Sequence, residues 1–386
     1  MAEIEIGMGK VGRRAYGLDD VALVSSRRTR DPEDIDLSWE IDAFRFDLPI
    51  MASAMDSVVS PASAVAIGEL GGVGVLALEG LWTRYDDPEP LLAEIAGLGE
   101  ASLSGTGPSN TGPSNERATA RLQELYAEPI KPELIRDRIK EIRGAGVTSC
   151  ASVTPQRLPA LADALLAAEL DLLVVQGSVV SAEHVTKEGD PLNLKTFVRR
   201  FDIPVIVGGC ASYQAASHLM RTGAAGILVG VGSGATSTTR RVLGVGAAQA
   251  TAIADARAAR MRHLDETGVY VHLIADGGIT TGGDIAKAVA CGADAVMLGA
   301  PLAAASDAPG RGWHWGLNGG HADLPRADRV ATPPVGTLAE VLVGPAHRSD
   351  GRTNLAGALR RSMASCGYQT LKELQKAELT ITPVHP

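Results

Sequence analysis

The sequence predicts an α/β protein in which residues 1–386 form one TIM-type (β/α)8 barrel with an extended C-terminal flap and helix. Three observations support this fold. Eight short apolar runs recur along the chain, most of them end in glycine or small polar residues, and helical patterns lie between them. Hydrophobic residues make up 45% of the chain and charged residues 21%, a composition that can fill and cover one large core.

The eight runs are rich in Val, Ile and Leu and are apolar on both faces, which is typical of buried strands in a parallel sheet. In order they are LPIMASAMD (48–56), GVGVLAL (72–78), VTSCASV (147–153), DLLVVQG (171–177), IPVIVGG (203–209), AGILVGVG (225–232), VHLIADGG (271–278) and DAVMLGA (294–300).

The segments between the runs carry apolar residues three to four positions apart, and most end on glycine, as helices do. They read SPASAVAIGEL, KPELIRDRIKEIRGAG, LPALADALLAAEL, YQAASHLMRTGA, AAQATAIADARAARMRHLDETG and GGDIAKAVACGA. Parallel strands need crossover connections, so eight alternating units favour a closed barrel over an open doubly wound sheet.

Two stretches interrupt this alternation. Between the second and third runs the pentapeptide TGPSN occurs twice in succession, and we interpret 101–116 as a flexible linker because Gly, Pro, Ser and Asn bury little apolar surface. The chain after 301 is Gly- and Pro-rich and precedes a last helical stretch, LAGALRRSMASCGYQTLKELQ. Long loops at a barrel mouth usually cover the site, so we expect a flap there.

The charge balance argues against a nucleic-acid partner, because a net charge of −9 repels phosphate backbones. No stretch reaches the length of a membrane span, and MAEIEIGMGKVGRR has no apolar core region, so a cytoplasmic location is expected. The four cysteines are scattered and predict buried side chains rather than disulfides or a metal site. Segment 7–12 matches G-x-G-x-x-G, yet no helix follows it, and a flexible N-terminal arm is the preferred interpretation.

Glycines and one carboxylate mark the ends of the last two predicted strands. Gly277, Gly278 and Gly299 can expose backbone N–H groups to a phosphate, although they can also simply end the strands. Asp276 immediately precedes this pair and can accept two hydrogen bonds from a ribose diol, or else serve as a cap or an ion-pair partner.

The loop after the sixth strand, GVGSGATSTTR (230–240), combines three glycines with a run of hydroxyl side chains. Such a backbone can wrap closely around a ligand, or around a monovalent cation at 232–237. A solvent-exposed Ser/Thr turn is the alternative. Because the loop follows a barrel strand at its C-terminal end, we favour function. Further along, Trp313, His314 and Trp315 predict either stacking on a flat ligand or packing of a lid onto the barrel rim.

Taken together, the motifs resemble one family. YGLDDVALV, LPIMASAMDSV, GGVGVL, GVGSGATSTTR, ADGGI, VMLGAPLA and SMASCGY occur in the order found in IMP dehydrogenases and GMP reductases, over nearly the whole chain. The resemblance is particularly marked to actinobacterial IMP dehydrogenase-related proteins that lack CBS domains, which share GGC, LMRTGAAG, RRVLG and the GxHWG stretch. It implies a barrel, commonly a homotetramer, that binds a purine 5′-nucleotide with NAD or NADP; the region after the second strand is too short for a CBS pair.

The resemblance also assigns roles to individual positions. By motif, Asp276 corresponds to the ribose-binding aspartate. The other substrate-side positions are Ser53, Met55, Gly234, Ala235, Gly277, Gly278, Gly299, Ala300, Gly316 and Leu317. The cofactor-side positions are Gln176, Gly177, Gly230 and Gly232.

Four positions depart from the family pattern. Ser237 stands where the family has the cysteine that attacks C2 of the purine, and a serine hydroxyl needs a dedicated base that a thiol does not. Ala235 and Ala300 replace serines that bind phosphate, and Gln176 replaces an aspartate on the cofactor side. The Arg-Tyr pair of the dehydrogenase flap is missing, and Thr238 alone remains of the reductase's threonine–acid pair.

Three functions therefore stay open at the level of sequence. The first is a purine-nucleotide oxidoreductase, closer to GMP reductase than to IMP dehydrogenase because the hydrolytic flap residues are missing. The second is a catalytically inactive relative that binds a nucleotide or another subunit and has a regulatory role. The third is redirected chemistry on an unusual nucleoside.

Overall fold

The computed structural model describes residues 3–98, 113–185, 192–316 and 329–381. Eight parallel strands close into a barrel in the order β5-β6-β7-β8-β1-β2-β3-β4. Their bounds are β1 Ile50–Ala52, β2 Val73–Ala77, β3 Cys150–Val153, β4 Leu172–Gln176, β5 Val205–Cys210, β6 Gly226–Val229, β7 His272–Asp276 and β8 Ala295–Leu298. Each strand pairs with its sequence neighbours, and β8 closes on β1 with Val296 opposite Ile50.

Helices connect these strands and cover the barrel. Their bounds are α1 Pro61–Glu69, α2 Glu89–Gly97, α3 Pro113–Ala127, α4 Pro132–Gly144, α5 Leu158–Ala167, α6 Leu194–Val198, α7 Tyr213–Met220, α8 Thr239–Leu243, α9 Gln249–Thr267, α10 Gly282–Cys291, α11 Ala300–Ala303, α12 Leu338–Leu342, α13 Leu355–Ser365 and α14 Leu371–Leu374. The predicted (β/α)8 barrel is confirmed, since every apolar run contains one barrel strand.

Local capping fixes several of these helices. At the start of α1, Ser60 Oγ accepts a hydrogen bond from the Ser63 backbone N–H, and Ser63 Oγ accepts one from the Ser60 backbone N–H. Thr281 and Asp284 form the same reciprocal pair at α10. Each box satisfies N–H groups that a helix start otherwise leaves without partners, so α1 and α10 begin at defined residues in the segments that follow β1 and β7.

The connection between β2 and β3 contains more regular structure than the sequence indicated. A 3₁₀ turn at Leu81–Thr83, α2 and α3 precede α4, and residues 113–116 of the expected linker form the first turn of α3. The remaining part of that linker, 101–112, lies outside the described residues. Helix α3 has few apolar residues, but its buried Leu122 and Leu125 pack into the main core, and this contact was not visible in the local pattern.

Both ends of the chain differ from the expectation. The supposed N-terminal arm is an antiparallel hairpin of Glu3–Gly7 and Lys10–Arg13, whose base is fixed to α9 by the Arg13–Asp255 ion pair. The last helical stretch divides into α13 and α14, because Gly367 adopts a φ of 77° and the Tyr368 N–H bonds the Met363 carbonyl. This is the left-handed stop that glycine allows.

Three further short strand pairs lie outside the barrel: Trp39–Ile41 with Phe44–Phe46, Val21–Leu23 with Leu379–Ile381, and Trp313–His314 with Val330–Ala331. The first of them leads into β1, and its buried Trp39 donates to the Leu48 carbonyl at 2.9 Å. Within the described ranges, no helix combines the length and apolarity needed to cross a bilayer.

Candidate active site

A cavity of about 240 Å³ opens where the barrel strands end. Its lining comes from segments that follow strands β1 to β4, β6 and β7 and from the flap. The lining residues are Ser53, Ala54, Met55, Glu79, Ser152, Val153, Thr154, Gln176, Gly177, Ser178, Gly230, Gly232, Ser233, Gly234, Thr236, Ser237, Thr238, Thr239, Leu243, Asp276 and Gly316. In this described lining, nine residues carry hydroxyl groups, two carry carboxylates, and no Lys, Arg or His occurs.

The fold brings most of the predicted site residues together in this lining. They are Ser53, Met55, Gln176, Gly177, Gly230, Gly232, Gly234, Ser237, Thr238, Asp276 and Gly316. Ala235, Gly277, Gly278, Gly299 and Ala300 are beside the cavity in sequence but do not line it. Leu317 lies outside the described residues.

The backbone of Asp276 is held rigidly at the end of β7. Its carbonyl accepts hydrogen bonds from Ser233 Oγ at 2.9 Å and from Gln249 Nε2 at 3.3 Å. A Cβ on Gly230 would lie 2.0 Å from the same carbonyl oxygen, so only glycine lets the β6 loop approach this closely. The β6 loop and the Asp276 turn therefore form one fixed unit.

The Asp276 carboxylate is part of the cavity lining and is hydrogen-bonded from the β4 side. Gln176 Nε2 donates to its Oδ2 at 3.1 Å, and Gln176 Oε1 in turn accepts from Ser152 Oγ at 3.4 Å. Burial raises the pKa of Asp276 to about 6, and the Gln176 hydrogen bond acts in the opposite direction. An ionised carboxylate in this setting is a strong acceptor for hydroxyl groups of a ligand.

The glycines after Asp276 have a packing role in this structure. Gly277 has a φ of 85°, and a Cβ there would lie 2.7 Å from Ser233 Oγ and 2.8 Å from the Gly234 nitrogen. A Cβ on Gly299 would lie 3.3 Å from His314 Cε1. A side chain at Gly277 would thus displace the β6 loop, and this requirement holds with or without a phosphate nearby.

Ser237 faces the cavity from the loop before α8. Among the described residues its hydroxyl donates to Thr239 Oγ1 at 3.3 Å and accepts from the Thr239 N–H at 3.4 Å. Neither partner is a base. Cysteine does not appear in the described lining, and burial raises the pKa of Cys210 to about 12 and that of Cys291 to about 11. No thiol of the described chain therefore takes over the role of a nucleophile at this site.

The flap strand packs onto the barrel rim, as one of the two interpretations of its aromatic residues predicted. Trp313, His314 and Trp315 are all buried. His314 Nδ1 lies 3.0 Å from Ser57 Oγ, and burial lowers the pKa of His314 to about 4, so its imidazole is neutral. Arg329 lies over the Trp313 ring with its guanidinium carbon 3.6 Å from the ring centroid. These contacts fix Gly316 at the edge of the cavity.

Several lining residues were not singled out by the sequence analysis. Glu79 follows β2, Thr154 follows β3, and Ser178 follows β4. Glu79 Oε1 accepts from the Thr154 backbone N–H at 2.7 Å. The rule that barrel sites are built from residues just beyond the C-terminal strand ends was available from the sequence and would have found all three.

Comparison with known proteins agrees with this architecture. The family model described as "IMP dehydrogenase / GMP reductase domain" matches residues 15–316. The chain belongs to the IMP dehydrogenase/GMP reductase family. It shares 50% identity over 382 residues with an uncharacterised oxidoreductase of Mycobacterium tuberculosis, covering 98% of this chain and 99% of that one. It is 27% identical over 481 residues to an inosine-5′-monophosphate dehydrogenase of Methanocaldococcus jannaschii, covering 96% and 93%.

A solved structure shares the complete fold. The IMP dehydrogenase/GMP reductase-like protein of Corynebacterium glutamicum superposes with a TM-score of 0.90 at 43% identity, over 98% of each chain. The family resemblance deduced from the motifs is therefore confirmed. Within this family, the cavity between Asp276 and the Ser237 loop occupies the C-terminal face on which TIM-barrel enzymes build their active sites.

Proposed function

We propose that this member of the IMP dehydrogenase/GMP reductase family binds a purine 5′-nucleotide in the cavity at the ends of β6 and β7, beside a nicotinamide dinucleotide on the β2–β4 side. The observation that carries the nucleotide assignment is the Asp276 carboxylate in the cavity lining, held beside the hydroxyl-rich loop that follows β6 and hydrogen-bonded by Gln176. A ribose diol donates two hydrogen bonds, which suits this acceptor.

The lining on the other side is compatible with the dinucleotide. Ser152, Thr154, Gly177 and Ser178 offer hydroxyl and backbone groups there, and Glu79 supplies a carboxylate. A nicotinamide, when bound, supplies the site at which a hydride is accepted or released. In this proposal the residues of the cavity position the two ligands and exclude water. We also propose that the protein forms a homotetramer and is located in the cytoplasm.

We further propose that the family's covalent step is largely lost in this chain, and that the protein acts chiefly as a nucleotide-binding, regulatory relative. Covalent attack at purine C2 requires an activated nucleophile, and the Ser237 hydroxyl bonds only to Thr239 within the described structure. If residual turnover occurs, the missing hydrolytic pair of the flap favours reduction of GMP over oxidation of IMP. Redirected chemistry on an unusual nucleoside has no supporting contact here.

Two measurements test this proposal. Titration with IMP or GMP should raise the melting temperature, since a ligand at 100 times its Kd adds about 2.7 kcal/mol to the free energy of unfolding. Absorbance of the reduced nicotinamide is then followed with IMP plus NAD and with GMP plus NADPH, where we expect little or no change. Failure of every purine nucleotide to shift the melting temperature would remove the nucleotide assignment, whereas rapid turnover would remove only the claim of lost catalysis.

A further inference from the structure

A second pocket lies between helices α7 and α9 in the outer layer of the barrel, and the proposed function makes no use of it. Its volume is about 170 Å³. Helix α9 begins at Gln249, whose side chain donates to the carbonyls of Val229 and Asp276 beside the active-site cavity. His263, which lines the second pocket, lies about four turns further along the same helix, or ~21 Å at ~1.5 Å per residue. The pocket is therefore separate from the active-site cavity.

The lining of this second pocket is rich in cationic and hydrogen-bonding side chains. Helix α7 and the residue after it supply His218 and Arg221, and α9 supplies Arg262 and His263. In this described lining, Glu266 is the one carboxylate. Two guanidinium charges against one carboxylate leave a positive excess, in a chain whose net charge is −9. Such a local excess attracts anions.

Glu266 lies between the two arginines. Its Oε1 accepts from Arg262 Nε at 2.7 Å, and its Oε2 lies 3.5 Å from Arg221 Nη2. Two guanidinium groups from different helices are therefore held near each other. Each guanidinium has five N–H donors, so the contacts with Glu266 leave several of them for a second oxyanion.

The imidazole of His263 is a buried polar group that lacks a partner in the protein. Only 8% of the residue is exposed. Its backbone carbonyl accepts from Thr267 Oγ1 at 2.7 Å, but none of the described residues hydrogen-bonds its ring. Burial and the nearby charge of Arg221 lower the pKa of His263. Buried polar groups are normally hydrogen-bonded, and a neutral imidazole offers one ring N–H that an anion in the pocket would accept.

We propose that this pocket is a second ligand site, which binds the phosphate group of a small phosphate monoester through Arg221, Arg262 and His263. Guanidinium groups match the oxygens of a phosphate in pairs, and such charge-assisted hydrogen bonds are stronger than those between neutral groups. The volume also leaves room for the organic part of the ligand. This site is independent of the proposed function, since none of its lining residues lines the active-site cavity.

The test is isothermal titration calorimetry of the full-length protein with inorganic phosphate and with glycerol 3-phosphate, at constant ionic strength and near pH ~8, where both are dianions. We expect saturable binding of both by the wild type. Arg221→Gln and Arg262→Gln should each raise the Kd by about threefold or more, because each removes a charged donor. Arg136→Gln is the matched control: Arg136 is exposed on α4 and lies near Asp137, outside the pocket, so its Kd should equal that of the wild type.

Glu266→Gln changes the charge of the pocket in the opposite direction, which a folding defect would not imitate. Removing the competing carboxylate should lower the Kd by about threefold. The inference is overturned if the wild type does not bind saturably, if both arginine variants keep the wild-type Kd, or if Glu266→Gln binds more weakly.

Two further outcomes concern the chemistry of the ligand. Equal binding of acetate would mean a site for carboxylates, and binding of inorganic phosphate without glycerol 3-phosphate would mean that the pocket does not admit a monoester. Either result would also overturn the inference, while the proposed function of the active-site cavity would stand.

Discussion

Gln176 and Asp276 come from strands β4 and β7, yet their side chains meet at 3.1 Å across the barrel mouth. An aspartate at 176 would place two carboxylates near each other and disfavour ionisation of both. The amide instead donates to Asp276 and favours its charged form. Gln176 thus supports the carboxylate to which we assign the ribose.

The pKa of Asp276 predicts how nucleotide binding depends on pH. Burial places that pKa at about 6, and a diol that donates to the carboxylate favours the ionised form. Affinity should therefore be highest above pH 6 and fall by up to about tenfold per pH unit below it, because binding then requires loss of a proton.

Calorimetric titration from pH 5 to 8 measures this effect, with an unphosphorylated purine nucleoside as a second ligand because a phosphate itself titrates near pH ~6. Asp276→Asn should bind more weakly and lack the decline. Parallel profiles for Asp276→Asn and the wild type would show that another group is responsible.

Replacing Ser237 with cysteine should restore covalent attack. With a purine 5′-nucleotide that carries chlorine at C2, the thiolate of Ser237→Cys forms a C–S bond as the C–Cl bond breaks and chloride leaves. A thiol with a pKa near ~8.5 supplies some thiolate at neutral pH, whereas an alcohol without a base does not. Intact-protein mass spectrometry should show the adduct only in this variant.

Ser178→Cys is the control for that experiment, since it adds a thiol to the same cavity on the β4 side. Equal labelling of both variants would mean that position 237 has no special alignment with the purine. Turnover of IMP or GMP by the wild type at about 1 s⁻¹ or faster would instead mean that a serine suffices, or that another route to hydride transfer exists.

At the scale of elements, helix α3 supports the flap strand that ends at the cavity. Tyr126 on α3 accepts from Trp315 Nε1 at 3.1 Å, and its hydroxyl donates to Asp56 Oδ2. The same Asp56 oxygen accepts from the Leu81 N–H at 2.9 Å. Burial raises the pKa of Asp56 to about 6, against the effect of these hydrogen bonds. A helix inserted between β2 and β3 is in this way tied to the rim beside β1 and to the flap.

Tyr126→Phe should loosen this connection. It leaves Trp315 Nε1 and Asp56 buried without the shared hydroxyl, so we expect the free energy of unfolding to fall by about 1 to 3 kcal/mol. Urea denaturation provides the measurement. Tyr85→Phe is the matched control: its hydroxyl donates to the Leu125 carbonyl of the same helix but does not contact the flap. Equal losses in the two variants would argue against a particular role for the Tyr126 network.

Across the whole molecule, the C-terminal helices close onto the barrel around one buried aspartate. Asp294, just before β8, accepts from Arg260 Nη1 at 2.8 Å and from Tyr270 Oη at 2.8 Å, and Lys372 of α14 pairs with it. Burial opposes ionisation of Asp294, but the charges of Arg260 and Lys372 outweigh it and hold its pKa below the usual value. This cluster joins α9, β7, β8 and α14 on the face opposite the cavity.

Asp294→Asn should be strongly destabilising, by about 3 to 5 kcal/mol, because it leaves the buried Arg260 without its counter-charge. Lys372→Met should reduce the free energy of unfolding by less, because the Lys372 side chain is half exposed and Arg260 remains as a cationic partner of Asp294. The pKa of Asp294 is lower in the folded protein than in the unfolded chain. Ionised Asp294 therefore stabilises the fold at pH values above its unfolded-state pKa, and this stabilisation is lost as the pH falls through its folded-state pKa. Melting curves from pH 2 to 7 should show this acid loss in the wild type and not in Asp294→Asn.

Much of this molecule follows from the sequence alone. Each apolar run forms a barrel strand because its residues are apolar on both faces, as burial inside a parallel barrel requires. The ordered motifs identified the family and most of the segments that line the cavity. Local chemistry also marks helix starts such as Ser60 and Thr281, whose caps need only residues nearby in the chain.

Other features depend on contacts between residues far apart in the chain, which no local pattern encodes. The Gln176–Asp276 hydrogen bond joins positions 100 residues apart. Helix α3 becomes part of the core through Leu122 and Leu125, although its own sequence is mostly polar. The packing role of Gly277 likewise appears only when the barrel closes, because closure brings the loops that follow neighbouring strands into contact at one mouth.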